Sequence, residues 1–176
     1  MNKLLALSML LSCTAIATAQ VDSPLDVSRI AKEVEQQIKA CPRREVVAEF
    51  KRGLHKTVWQ KQAWGPPSDV IADVKSNDSI LYPYVLTVEF SLSFSHGPEH
   101  KNKTEAETET ELSPSSVLIQ LGADTSRNRN IYLVNKDGIR LKTREILKRK
   151  LLDDTPAQWG ERSAWANACW DRIGAQ

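Results

Sequence analysis

His96, Glu99 and His100 spell H-x-x-E-H, the pattern in which two histidines on one helical face hold a metal ion and the glutamate acts on its bound water. Gly97-Pro98 stands between the histidines and breaks the helix that would align them, so the motif reads as the solvated tip of a hairpin. Only His55 is left to complete a ligand set, and no metal is expected. Nucleophilic chemistry is equally poorly served. The chain has no Gly-x-Ser-x-Gly elbow, its serines have no orienting partner, and its sparse glycines form no phosphate-cradling loop. Asp69 with Asp73 and Asp153 with Asp154 are paired carboxylates in positions that suit solvation or helix capping. The reading is therefore no catalytic residue and no cofactor.

Two charge ladders offer recognition instead of catalysis. Glu105, Glu107, Glu109 and Glu111 recur every second residue, so an extended segment would project all of them from one face. Arg140, Lys142 and Arg144 alternate in the same way. Like charges so close need solvent or opposite charge nearby, and alternation is also the ordinary pattern of a solvent face. Glu99, Glu105, Glu107, Glu109 and Glu111 form the candidate binding hairpin. A pocket lined by His55, Asp73 and Tyr84 is the alternative site.

The start of the chain bears on where such a surface would work. Lys3, the apolar run Leu4–Leu11 and Ala17-Thr18-Ala19 read as a secretory signal peptide cleaved after Ala19, leaving one domain over residues 20–176. Leu10-Leu11-Ser12-Cys13 resembles a bacterial lipobox, which makes lipid anchoring through Cys13 the competing reading. Either way Cys41 and Cys169 remain as the pair to be joined in an oxidising compartment, periplasmic or secreted. The net charge of +2 is too small to argue for nucleic acid or an anionic membrane, and no apolar run is long enough to span a bilayer.

The elements that must carry these residues follow from periodicity. Val27, Ile30, Ala31, Val34, Ile38 and Cys41 share one face of a helix over Leu25–Cys41, and Pro42 opens a second, shorter helix ending at Gly53. Strands are expected at Thr57–Trp64, Val70–Lys75, Tyr84–Phe94, Thr104–Leu112, Val117–Leu121, Ile131–Val134 and Ile139–Arg144. A polar hairpin loop is expected at Ser95–Lys103, and Asp137-Gly138 marks a tight turn. Thr155-Pro156 starts a closing helix whose face holds Trp159, Ser163, Ala166, Trp170 and Ile173, with Cys169 beside it. The fold class is α+β: an N-terminal helix packed on a curved antiparallel meander, a closing C-terminal helix and one disulfide. Of the five tryptophans, Trp59 and Trp64 fall on opposite faces of one strand.

The stretch Asp69–Val85, with the long alternating strand after it, Tyr132 and the Asp137-Gly138 hairpin, resembles exported bacterial domains of cystatin- or NTF2-like layout. That resemblance implies a helix cradled by a curved sheet and brings no catalytic residue. The function expected is a non-catalytic binding module, an inhibitor or immunity-type protein that meets another envelope or secreted protein through its acidic hairpin. A small-molecule pocket of NTF2 type, or an enzyme built on it, and a structural envelope lipoprotein are the alternatives.

Overall fold

A computed structural model describes residues 25–53, 56–114, 125–148, 157–162 and 168–175. The proposed leader, His55, the expected strand Val117–Leu121 and Asp153-Asp154 lie outside the described residues. The described chain runs α1 (Val27–Lys39), β1 (Arg44–Arg52), β2 (Lys56–Trp64), β3 (Ser68–Ser76), β4 (Tyr84–His100), α2 (Lys103–Thr108), β5 (Ser113–Pro114), β6 (Thr125–Asn135), β7 (Gly138–Lys148), β8 (Gln158–Glu161) and α3 (Cys169–Arg172). All strand pairs are antiparallel, in the order β1-β2-β4-β6-β7-β8, with β3 and β5 also on β4.

β4 organises the sheet. Its first half is flanked by β3 and β6, and its second half by β2 and β5. Leu86, Val88, Phe90 and Leu92 alternate along it and are at most 1% exposed, which fixes the register because a one-residue slip would turn them all to water. They share one buried cluster with Ala31, Val34 and Ile38 of α1, with Val70, Tyr132 and Val134, and with Ala168 and Trp170. α1 starts at Asp26, whose carboxylate accepts the Arg29 N–H at 2.9 Å.

Four sequence expectations give way. The predicted helix after Pro42 is β1, paired residue for residue with β2. Val46, Val47 and Phe50 are good strand formers, and Gly53, at φ +66°, serves the hairpin as readily as a helix end. The predicted loop Ser95–Lys103 is for the most part strand: β4 runs on to His100 and absorbs Gly97-Pro98 in a bulge opposite Gln60–Gln62. Thr104–Leu112 is not a strand, since its first half is α2. The signal for α2 is Asn102, whose side chain accepts from the Glu105 N–H at 2.9 Å and donates to the Glu105 carboxylate at 2.7 Å. The closing helix fails as well. Trp159 lies on β8, which covers the edge of β7, and α3 is a single turn.

Cys41 and Cys169 are bonded, with Cα atoms 5.6 Å apart, and tie the end of α1 to α3.

Candidate functional site

The loop between β3 and β4 is built to present apolar side chains to solvent. Asn77 closes it twice, its N–H donating to the Pro83 carbonyl at 2.7 Å and its side-chain amide to the Tyr82 carbonyl at 2.9 Å. The Tyr82 N–H donates to Ser79 Oγ at 3.2 Å. With its ends fixed, the loop holds Ile80 at 98% and Leu81 at 74% exposure. A segment that leaves its two largest aliphatic side chains in water gains little from them in folding.

The tip does not stand alone. The β6–β7 turn lies beside it, its Asp137 N–H donating to Asn135 Oδ1 at 3.0 Å, with Gly138 at φ +133°. Leu25, Ile80, Leu81, Tyr84, Lys136 and Asp137 are among the residues lining a cleft of about 480 Å³. A second cleft of about 650 Å³ is lined by Gln37, Tyr82, Asp137, Ile139, Arg140 and Gly174, among others. The rim thus mixes Lys136 and Arg140 with Asp137, all exposed. An apolar centre with a mixed polar rim is the usual composition of a protein–protein interface.

The acidic candidates are drawn together but neutralised locally. Arg52 grips Glu99 Oε1 with Nε and Nη2 at 3.0 and 2.6 Å. Glu107 pairs with Lys103 at 3.3 Å, and Glu105 is held by Asn102 and lies 3.7 Å from His100. Glu109 accepts the Glu111 N–H at 2.7 Å and contacts His100 Nε2 at 3.2 Å. That backbone N–H, followed by His100, holds the Glu109 carboxyl below the ordinary carboxylate range. Glu111 is exposed. Because Glu105 and Glu107 sit on α2, a spacing of two sends them to different sides, and the ladder expected from alternation does not form.

The basic ladder is broken by a different device. The pairs Ile131 with Thr143 and Tyr132 with Leu141 leave Lys142 as an extra residue in β7. The bulge inverts the alternation. Arg140, opposite Leu133, points outward, while Arg144, opposite buried Asn130, turns inward.

The alternative pocket is not assembled by the described residues. Asp73 is exposed, sits opposite Thr87 and pairs with Lys75 at 3.3 Å. Tyr84 sits opposite Ser76, three positions from Thr87 along β4, and so faces the other side of the sheet. His96 contacts the side-chain amide of Gln60 at 3.1 Å. Among the described residues, no group of three His, Cys, Asp or Glu side chains is placed to share a metal ion.

A buried polar cluster escaped the sequence reading. Arg162 and Asp171 form a two-point pair, and Arg144 Nη2 donates to the Asp171 carbonyl at 2.8 Å. The Asn130 amide donates to the Trp170 carbonyl at 2.7 Å and to Tyr132 Oη at 3.1 Å. Burial is the main cause that pushes the Tyr132 hydroxyl up to about 12. These contacts fasten α3 to the inner face of β6 and β7. Alternation does place Asn128, Asn130 and Tyr132 on one face, but the inward turn of Arg144 depends on a bulge with no sequence mark.

Among the described residues, no helix is long and apolar enough to cross a membrane. Neither the protein-family models, nor the curated proteins, nor the solved structures compared with the chain give a match.

Proposed function

We propose that this chain is a non-catalytic binding module of an exported compartment, and that it docks another protein through the Ile80–Leu81 tip and the flanking clefts. The observation that carries this reading is the ordered loop that holds Ile80 98% exposed. A partner with an apolar cleft of its own would bury both side chains, each worth about 1.5–3 kcal/mol when fully covered. The loop is already ordered, so little conformational entropy is lost on docking. The rim supports a protein rather than an anionic bilayer, because Asp137 stands with Lys136 and Arg140 in the cleft linings and Asp78 lies two residues before Ile80. The signal-like start and the Cys41–Cys169 bond support the exported setting. The acidic hairpin, whose carboxylates are mostly paired within the chain, is the weaker docking surface.

The test is capture of envelope and secreted proteins on the oxidised protein, beside the Ile80→Ser/Leu81→Ser and Glu107→Lys/Glu109→Lys variants. A stoichiometric partner that is lost with the tip variant and kept by the charge variant is expected. Loss with the charge variant alone would move the surface to α2. Sedimentation with lipid vesicles through Ile80 and Leu81 would replace the protein partner with a membrane.

A further inference from the structure

At the disulfide, a cleft of about 460 Å³ opens between the start of β1 and α3. Its size falls within the range of about 300–1,000 Å³ typical of small-ligand sites. Pro42 and Val46 supply apolar wall, Cys169 lies at its side, and Arg43, Arg44 and Arg172 bring guanidinium groups to it. Glu45 is the one acid in this lining, and it is taken twice, by Arg43 at 2.9 Å and by Lys61 at 3.2 Å. Positive charge in the cleft is therefore not balanced by its own walls.

The three arginines stand differently. Arg172 is exposed, its carbonyl accepting the Ala175 N–H at 3.1 Å while its side chain makes no ion pair or hydrogen bond among the described residues. Arg43 is spent only on Glu45, a pair open to solvent and worth little. Arg44 lies over the Trp64 ring, 5.2 Å from its centroid. Burial lowers its pKa, which the field of nearby Asp171 opposes. Arg172 and Arg43 each carry a forked guanidinium, a donor set that favours planar or tetrahedral oxyanions over halide.

We propose that this cleft binds an oxyanion, a carboxylate or phosphate group carried by a small molecule, with Arg172 and Arg43 as its principal donors and Arg44 behind them. The site is separate from the Ile80–Leu81 surface and stands or falls independently of it.

The test is calorimetric titration of the oxidised protein with inorganic phosphate, and separately with acetate, in low-salt buffer free of other oxyanions. The comparison is with Arg172→Ala and with Arg29→Ala, an exposed arginine on α1 outside the cleft. Saturable binding of at least one anion is expected, weakened about tenfold by Arg172→Ala, as for loss of a charge-assisted hydrogen bond, and unchanged by Arg29→Ala. The tighter of the two anions identifies the group. Arg172 is exposed, so its removal leaves the fold intact. No saturable uptake of either anion, or equal weakening by both variants, would overturn the site.

Discussion

Arg162 holds Asp171 at two points, Nη2 2.7 Å from Oδ1 and Nη1 2.9 Å from Oδ2, with the two side chains 5% and 2% exposed. Arg144 approaches the same carboxylate from β7, its Nε 3.4 Å from Oδ1. One buried acid thus faces two cations drawn from separate strands of chain, and its charge is what makes their burial tolerable.

Asp171→Asn keeps the shape and removes that charge. A loss of about 3–5 kcal/mol is expected, since Arg162 and Arg144 lose the charge of the carboxylate they both approach. Urea unfolding followed by tryptophan fluorescence measures it. A loss below about 1 kcal/mol would show that the cluster does not anchor α3.

Tyr132 gives the cluster a pH signature. Its hydroxyl ionises near 10 in the unfolded chain and near 12 when folded, so below 10 its contribution is intact. As pH rises from 10 through 12 the unfolded state loses this proton first, and stability falls. Tyr132→Phe should cost about 0.5–1.5 kcal/mol at neutral pH, through the lost Asn130 hydrogen bond, and flatten the alkaline decline. Unfolding free energies at about pH 9 and pH 11 for both proteins decide the matter; equal slopes would contradict the assignment.

Gly97 is required by a close approach. A Cβ there would lie 2.7 Å from Glu109 Cγ and 3.3 Å from Leu112 Cδ2. Gly97→Ala should destabilise by about 1–3 kcal/mol by forcing apart β4 and the segment after α2. Thermal unfolding tests this.

The tip should be separable from stability. Ile80→Ser/Leu81→Ser removes side chains that fill no core, so unfolding free energy should change by no more than about 0.5 kcal/mol while partner capture is lost. A large loss of stability would mean that the tip packs within the fold.

Legibility in the sequence follows the range of the interaction that decides each element. The face of β4 was readable because Leu86, Val88, Phe90 and Leu92 state their burial by alternation alone, and the Cys41–Cys169 pair followed from having no rival once Cys13 was set aside. The identity of β1 was not readable. Its local pattern suits a helix or a strand, and the choice is made by pairing with β2. The acidic ladder failed for the opposite reason, because a local cap at Asn102 outweighs a period of two. Arg144 depends on the extra Lys142 in β7, and so on the partner strand's register. The exposed tip was written as Ile80-Leu81, but only its hydrogen-bonded loop shows that these two apolar residues face outward.

The crosslink between residues 128 positions apart also sets an order of events in biosynthesis. Cys41 emerges long before its partner, and it must wait as a thiol while the whole sheet is delivered. An oxidant that acted early could only join Cys41 to a thiol other than Cys169, so correct maturation depends on late oxidation or on an isomerase that resolves the premature adduct. A chain that stalls before Cys169 cannot lock, and it is left open to proteases in a way the finished molecule is not.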